Sequence, residues 1–317
     1  MSSTRHSLPQ MTDGLFLTDG GIETTLIFHD GFDLPCFAAF TLLRDEKGMR
    51  ALRRYFARHA AVARKNGMGF VLESVTWRAN RDWAEKLGYS APELEQANRD
   101  AIRLLRDIKA EYETPATPML ISGCIGPRGD GYDPGTAMSQ EEAQAYHSQQ
   151  VRIFADENVD MVSAMTMTNV NEAIGVVRAA QSAEIPSVIS FTLETDGNLP
   201  TGDSLGKAIE AVDRATGAGP AYYMINCAHP THYESKLAAG EPWLARIGGM
   251  RANASRLSHA ELDNATALDD GNPVEFGRQL ADIRARLKHV RVLGGCCGTD
   301  HRHIEQIAMS CAEVGAA

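Results

Sequence analysis

Three cysteines stand where their sulfur atoms have a chemical use. Cys296 and Cys297 are adjacent in the glycine-rich segment 294–299, and Cys227 lies 69 positions upstream of Cys296. Both sites directly follow a short apolar run of strand type. Adjacent cysteines rarely bond to each other, because the geometry is strained. Two neighbouring thiolates and one distant thiolate instead suit three corners of a tetrahedral Zn²⁺ site whose fourth corner stays open.

Three thiolates around a zinc ion favour one kind of reaction. The net negative charge weakens the power of the metal to polarise a carbonyl group or ionise water. It suits a fourth thiol, which a metal deprotonates outright and so turns into a nucleophile. The pattern therefore predicts activation of a small sulfur compound for attack on carbon. The alternative is three packing cysteines, which does not account for their place at glycine-rich strand ends.

The other cysteines give different predictions. We expect Cys36 and Cys311 to be packing residues. Cys124 follows the third predicted strand, where it can line a pocket.

Short apolar segments alternate with amphipathic ones along the chain, and the apolar segments are typical of parallel strands buried on both faces. We predict strands over residues 15–19, 69–75, 119–123, 161–165, 187–191, 221–226, 247–251 and 291–295. We predict helices over residues 49–66, 91–113, 139–158, 170–183, 204–218, 274–289 and 300–314.

This alternation predicts an α/β protein with a single (β/α)8 barrel domain over residues 1–317. A doubly wound sheet is the runner-up. Residues 19–23, after the first strand, contain neither a phosphate loop nor a dinucleotide fingerprint, which argues against that sheet. In a barrel the carboxyl ends of the strands form the active face, and all three cysteines lie at such ends.

Composition excludes several classes of partner. The 317-residue chain has a net charge of −10 and scattered basic residues, which argues against a nucleic-acid partner. No apolar stretch approaches the roughly 20 residues that span a bilayer, and residues 1–10 lack the apolar core of a signal peptide. We therefore expect a cytoplasmic protein with no membrane partner and no disulfide framework. Whether the chain forms a homo-oligomer stays open.

The cysteine motifs resemble a known family. Residues 294–299, with Asn226 and Cys227 upstream, resemble the zinc site of the homocysteine S-methyltransferase family. Other segments resemble motifs of the same family: residues 18–21, 24–26, 123–129 and 190–191. The resemblance covers most of the chain. It implies a (β/α)8 barrel and a zinc-dependent transfer of a methyl group from an onium donor, such as S-methylmethionine or betaine, to homocysteine, which gives methionine.

By this resemblance Cys227, Cys296 and Cys297 are the catalytic metal ligands. Asp19, Gly20 and Gly21 hold the amino-acid end of homocysteine, although Asp-Gly is also ordinary turn chemistry. The candidate substrate-binding residues lie near the ends of predicted strands: Asp19, Gly20, Gly21, Glu73, Trp77, Cys124, Met165, Asn226 and Arg251.

The chain departs from the family after the fourth strand. Where the family usually carries a glutamate that meets the substrate's ammonium group, this chain has Met165. A thioether cannot pair with an ammonium group, so either another carboxylate replaces the glutamate or the acceptor thiol differs. Glu73, near the end of the second strand, is the best replacement, and a structural ion pair is its alternative role.

Two further features concern the ends of the substrates. Arg251 either clamps a carboxylate in bidentate fashion or supports its loop. A cationic donor favours an aromatic cage, for which Phe28, Trp77, Trp83 and Tyr132 are candidates, although such aromatics commonly just pack.

Three alternative functions stay open. The first is methyl transfer to a different small thiol. The second is a zinc hydrolase, for which His229 is the nearest candidate base. The third is a zinc- or thiol-binding protein without turnover.

Overall fold

Eight parallel strands close into a barrel in the computed structural model, which describes residues 8–12, 14–237 and 240–316. Each strand pairs with the next in sequence, and the first pairs with the last, so that Phe16 lies opposite both Gly69 and Val292. The strands are β1 (Phe16–Leu17), β2 (Gly69–Glu73), β3 (Met119–Ile125), β4 (Met161–Met167), β5 (Ser187–Thr192), β6 (Tyr222–Asn226), β7 (Ile247–Ala252) and β8 (Val292–Gly295). The (β/α)8 barrel and its eight strands are confirmed. One domain over residues 1–317 stays a prediction.

Long helices surround the barrel, each overlapping a predicted one. Those in the described ranges are α1 (Glu46–Asn66), α2 (Ala91–Tyr112), α3 (Gln140–Asp156), α4 (Val170–Ser182), α5 (Leu205–Thr216), α6 (Pro273–Arg286) and α7 (His301–Ala316). Shorter helical segments are Pro9–Met11, Ile22–Thr24, Thr25–His29, Pro35–Phe37, Ala39–Arg44, Arg81–Lys86, Pro230–Tyr233, Glu234–Leu237, Pro242–Arg246 and His259–Asp263. No helix in the described part of the chain is long and apolar enough to cross a membrane.

Local sequence signals explain where several helices begin and end. Ser139 and Glu142 form a reciprocal capping box at the start of α3. Asn272 caps α6, whose first residue is Pro273. Gly67 ends α1 with a φ of 60°, a left-handed conformation that glycine adopts without steric cost.

The expected alternation of strand and helix is interrupted once. Between β6 and β7 the described residues form only short helical turns, whereas every other crossover contains a helix of at least 12 residues. Pro230, Gly240 and Pro242 fall in this connection. Proline removes a helical hydrogen bond and glycine weakens a helix, which accounts for the missing long helix.

Apolar side chains fill the barrel itself. A cluster inside it contains Val71, Leu120, Val188 and Met224 in its middle, and Cys124 and Met165 nearer the carboxyl ends of the strands. A larger cluster lies between the strands and the helices. The packed interior closes the barrel to solvent, so that a ligand can enter only at an end of the strands.

Candidate active site

The carboxyl ends of the strands open onto a cavity of about 490 Å³. Ten of the twelve predicted site residues line it: Asp19, Glu73, Trp77, Cys124, Met165, Asn226, Cys227, Arg251, Cys296 and Cys297. These residues lie at or just beyond the carboxyl ends of seven different strands, and the barrel brings them together around one cavity.

The other two predicted residues, Gly20 and Gly21, are not among those that line the cavity. A Cβ atom on Gly20 would lie 2.8 Å from the carbonyl oxygen of Thr299, and one on Gly21 would lie 2.5 Å from that of Cys296. The amide of Gly21 also donates to the Thr299 carbonyl at 3.0 Å. The two glycines therefore allow the loop after β1 to pack directly against the cysteine turn.

Three sulfur atoms converge at one side of the cavity. The Sγ atoms of Cys227, Cys296 and Cys297 all lie within 4.8 Å of one another, close enough to bind one metal ion. Cys227 and Cys296 are joined as a disulfide with their Cα atoms 5.4 Å apart, and the other four cysteines are free. We predicted no disulfide framework, and this single bond joins two residues of the predicted metal site. Metal binding here requires that both be reduced, because thiolates are the ligands.

Each sulfur of the cluster has a polar partner. Thr166 Oγ1 lies 3.9 Å from the sulfur of Cys227, Asn226 Nδ2 lies 3.9 Å from that of Cys296, and the Tyr132 hydroxyl lies 3.6 Å from that of Cys297. Hydrogen bonds of this kind favour the thiolate form. Burial nevertheless raises the pKa of Cys297 to about 11, which the contact with Tyr132 partly offsets. A thiolate at neutral pH therefore requires a cation at the cluster.

Asn226 organises the wall beside the sulfurs. Its amide oxygen accepts from the backbone N–H of Thr166 at 2.9 Å and from the hydroxyl of Ser190 at 2.6 Å. Its amide nitrogen donates to Thr166 Oγ1 at 2.8 Å. These bonds hold Thr166 in a left-handed conformation, with a φ of 60°, that a β-branched residue rarely adopts. Substrate binding by Asn226 stays a prediction.

A buried ion pair joins β7 to the loop after β1. Nη2 of Arg251 donates to Oδ1 of Asp19 at 2.7 Å, and Nε donates to the carbonyl of Gly295 at 3.1 Å. The Tyr55 hydroxyl, on α1, lies 2.9 Å from the second oxygen of Asp19. Both carboxylate oxygens of Asp19 thus have partners within the protein. The arrangement favours the supporting role of Arg251, and an ammonium group at Asp19 would share the carboxylate with that arginine.

Glu73 differs from Asp19 in having no hydrogen-bond partner for either oxygen among the described residues. The side chain is 4% exposed and lines the cavity. Burial raises the pKa of Glu73 to about 7, against the lowering effects of the Arg251 charge and of the nearby Ser122 and Ser163 hydroxyls. Met165 is equally buried and lines the same space. The cavity therefore contains a buried carboxyl group without a hydrogen-bond partner in the described part of the chain, that of Glu73. The glutamate that the family usually carries in this region is replaced by Met165.

Sequence reasoning missed a second carboxyl group. Glu23, just after the loop glycines, lines the cavity, and burial together with the Asp19 charge raises its pKa to about 7, while backbone hydrogen bonding and Arg251 oppose the rise. Its position two residues after Gly21 was the available signal. Tyr55, the hydrogen-bond partner of Asp19, was also missed, and no sequence signal pointed to it because it lies in the middle of a helix.

The aromatic candidates all line the cavity, together with an arginine that sequence reasoning missed. Phe28, Trp77, Trp83 and Tyr132 border the space, and Arg78 lies between the two tryptophans. The position of Arg78 directly after Trp77 in the sequence was the available signal for including it.

Two predictions about other residues have different outcomes. Cys311 is buried in the outer core as predicted, whereas the packing role of Cys36 is wrong, because Cys36 is exposed and lines the cavity. His229 does not border the main cavity. Its ring caps the helix Pro230–Tyr233 through Thr231, and burial lowers its pKa to about 4. It is therefore not positioned as the base of a hydrolase.

Comparisons with known proteins agree with this architecture. The profile of the homocysteine S-methyltransferase family matches residues 16–311. A homocysteine S-methyltransferase 1 of Brassica oleracea var. italica is 20% identical over 97% of this chain and 96% of its own length. A betaine–homocysteine S-methyltransferase 1 of Rattus norvegicus is 26% identical over 75% of this chain, and the match spans 60% of the rat protein.

A similar barrel occurs among solved structures. The crystal structure of the homocysteine methyltransferase MmuM from Escherichia coli, in its metallated form, superposes with a TM-score of 0.71 at 18% identity. The match covers 95% of this chain and 97% of the E. coli chain. At this identity the likeness concerns the fold.

The ion pair gives a first prediction. Arg251→Met leaves the Asp19 carboxylate buried without its cation, which costs about 3–5 kcal/mol in the free energy of unfolding. Arg246→Met, which breaks a more exposed pair with Asp213, is the control and costs on the order of 1 kcal/mol. Urea unfolding measures both. Equal losses of unfolding free energy in the two variants would show that the buried pair stabilises the protein no more than the exposed pair does.

Glu73 gives a second prediction, about stability and pH. Its folded pKa of about 7 exceeds its ordinary value of 4.5, so the native state binds the proton more tightly. Stability is therefore lost as pH rises from the lower value through the higher one. Glu73→Gln removes this penalty and raises the free energy of unfolding by roughly 1–3 kcal/mol near pH 8, with little gain near pH 4. A gain that does not change with pH contradicts the assignment.

Proposed function

The chain belongs to the homocysteine S-methyltransferase family, and we propose that it uses a zinc ion on Cys227, Cys296 and Cys297 to move a methyl group from an onium donor to the sulfur of homocysteine. The observation that carries this proposal is the convergence of three sulfurs, each with its own polar partner, at the wall of a cavity. The cavity has room for two small molecules of this kind, since its volume is about 490 Å³.

The residues present fit a zinc ion. Zinc binds thiolate sulfur at about 2.3 Å in a tetrahedron, which separates the sulfurs by about 3.8 Å. Three sulfurs within 4.8 Å of one another reach that arrangement by small side-chain movements once Cys227 and Cys296 are reduced. Three protein ligands leave the fourth position for the acceptor thiol. A bound zinc ion would supply that thiol as a thiolate at neutral pH.

The residues of the chain do the rest of the work. The cavity walls hold acceptor and donor together, so that the acceptor sulfur attacks the donor's methyl carbon in line. A sulfur–carbon bond forms as the bond from methyl to the onium atom breaks, and its electron pair leaves with a neutral thioether or amine. The acceptor's thiol proton passes to solvent. Thr166, Asn226 and Tyr132 orient the three cysteine sulfurs through their polar contacts.

Glu73 is the proposed partner of the acceptor's ammonium group. It is buried and lines the cavity, and neither of its oxygens has a partner in the described structure. An ammonium group beside it would compensate a carboxylate whose charge is otherwise disfavoured by burial. Met165, on β4, would then contact the apolar part of the acceptor. This assignment replaces the missing glutamate with a carboxylate from a different strand.

Met165 also supports a second candidate acceptor. A buried thioether in place of a carboxylate suits a thiol that carries no ammonium group. In that case Glu73 takes no part in recognition. The two candidates differ only in the acceptor, and competition between two matched thiols separates them.

The proposed centre also bears on where the protein works. Cys227 and Cys296 must be thiols to bind a metal ion, and a reducing compartment keeps them so. This requirement supports the cytoplasm as the place of the reaction.

A third prediction tests the metal. After reduction, the protein is expected to bind about one Zn²⁺ per chain. Replacing Cys227, Cys296 or Cys297 by Ala removes most of the metal and nearly all methyl transfer, because each contributes one ligand. Cys311→Ala, in the outer core, is the control and keeps its zinc. Zinc analysis and methionine formation are the measurements, with circular dichroism to verify the fold. Full zinc content in the Cys296→Ala and Cys297→Ala variants would falsify the site.

A fourth prediction tests the acceptor. Homocysteine and 4-mercaptobutanoate differ only by the amino group, so the ratio of their kcat/KM values cancels the ionisation of the thiol. If Glu73 binds the ammonium group, the ratio rises from about pH 6 to about pH 8 as Glu73 loses its proton, and Glu73→Gln lowers it by roughly 10- to 100-fold and makes it flat.

The second candidate acceptor predicts the opposite pattern. The wild-type protein then prefers 4-mercaptobutanoate, Glu73→Gln changes little, and Met165→Glu shifts the preference toward homocysteine. A ratio that is the same in wild type, Glu73→Gln and Met165→Glu removes both residues from acceptor recognition.

A further inference from the structure

Arg78 enters the cavity between two aromatic rings. Its guanidinium carbon lies 4.1 Å from the ring centre of Trp77 and 3.9 Å from that of Trp83. The side chain is only 6% exposed and borders the cavity. The contacts fix the guanidinium plane and remove it from water, so that its charge acts at short range with little screening.

The hydrogen bonds of Arg78 are incomplete. Nη1 donates to the carbonyl of Gly129 at 2.8 Å, and Nη2 lies 3.3 Å from the carboxylate of Asp130. Nε is buried and has no partner among the described residues. Asp130 is 47% exposed, so its charge is shared with solvent and compensates the buried arginine only in part.

The same contacts occupy the predicted aromatic cage. Trp77 and Trp83 hold Arg78, and Trp83 also has the ammonium group of Lys86 3.9 Å from its ring centre. Tyr132 stacks on the ring of His259 at 3.9 Å. A donor's cation therefore finds at least one face of three of the four candidate rings in use, and it meets a buried positive charge beside them. A donor with a positive charge alone is disfavoured at this wall.

We infer that Arg78 binds the carboxylate of the methyl donor and is the residue of this chain that determines which donors are accepted. This inference rests on the proposed methyl transfer. A carboxylate in the cavity would give the guanidinium group a further anionic partner beside Asp130 and Glu23. Arginine suits this task because its planar fork matches the geometry of a carboxylate.

The position of Arg78 also orients the donor. Trp77 donates to the carbonyl of Met165 at 3.3 Å, and its ring and Thr166 both flank Gly131. Thr166 in turn contacts the sulfur of Cys227. A series of contacts thus leads from Arg78 to the sulfur cluster. A donor held by its carboxylate at Arg78 would have its cationic end repelled from the arginine, within the same cavity that the three cysteines line.

The test compares two donors of equal size. Isothermal titration calorimetry on the reduced, zinc-loaded protein measures binding of dimethylsulfoniopropionate and of its primary amide, which lacks the negative charge. The wild-type protein is expected to bind the carboxylate form about 10- to 100-fold more tightly. Arg78→Met abolishes this difference, and Arg78→Lys, which keeps the charge but loses the fork, retains part of it.

A matched control separates recognition from support of the loop. Arg128 lies in the same segment as Gly129 and Asp130, pairs with Asp82 at 2.7 Å, and is not among the residues that line the cavity. Arg128→Gln is expected to leave the preference for the carboxylate donor unchanged. If Arg78 only supports the loop, Arg78→Met weakens both donors equally and the inference fails.

The wild-type comparison decides the inference even if Arg78→Met does not fold. Equal affinity for the two donors, or no binding of either, overturns it. Methyl transfer is measured separately, as methionine formed from homocysteine with S-methylmethionine, betaine or dimethylsulfoniopropionate. Binding that depends on the carboxylate without any methionine formation would contradict the proposed function and leave the role of Arg78 supported.

Discussion

The candidate site depends on one buried ion pair. Arg251 reaches from β7 past the neighbouring strand β8 to Asp19, after β1, and to the carbonyl of Gly295, just before the cysteine pair. Both partners are almost fully buried, so neither charge has water as an alternative. The pair therefore determines how the loop after β1 and the turn after β8 lie against each other. Gly20 and Gly21 make the close packing of those two segments sterically possible.

The same pair shapes the electrostatics of the cavity. Asp19 is compensated by Arg251, whereas Glu73 and Glu23, whose pKa values burial raises to about 7, are two carboxyl groups in the cavity that a ligand can use. Arg78 is the corresponding cation with an unused donor. A cavity with carboxyl groups and a guanidinium group of this kind suits ligands that carry both charges. This agrees with an amino-acid acceptor and a zwitterionic donor.

The sulfur cluster needs a bound cation and reduced cysteines. Burial raises the pKa of Cys297 to about 11, so this thiol does not ionise at neutral pH without a cation beside it. Cys227 and Cys296 are close enough to form a disulfide, and the same closeness allows all three sulfurs to bind one ion when they are reduced. Metal binding and the reduced state are thus coupled in this site. Polar contacts from β4, β6 and the loop after β3 support each sulfur in turn.

The sequence by itself determined the barrel and the sulfur site. Each strand is a short apolar run that is followed by a helical segment, and such local patterns do not depend on distant contacts. The cysteines were readable because each directly follows a strand, and the carboxyl ends of parallel strands must meet at one face. Cys36 and Cys311 were both predicted to pack because free cysteine is commonly buried, and only Cys311 does so.

Only the tertiary structure decided which charges meet. Asp19 and Arg251 are 232 positions apart, and Tyr55 lies on a helix with no motif, so no local pattern pairs them. The placement of Arg78 between two tryptophans, the exposure of Cys36 and the turn of His229 away from the main cavity depend on how loops cross the barrel mouth. Side-chain pairing across loops is set by three-dimensional packing, and a single sequence does not contain that information in readable form.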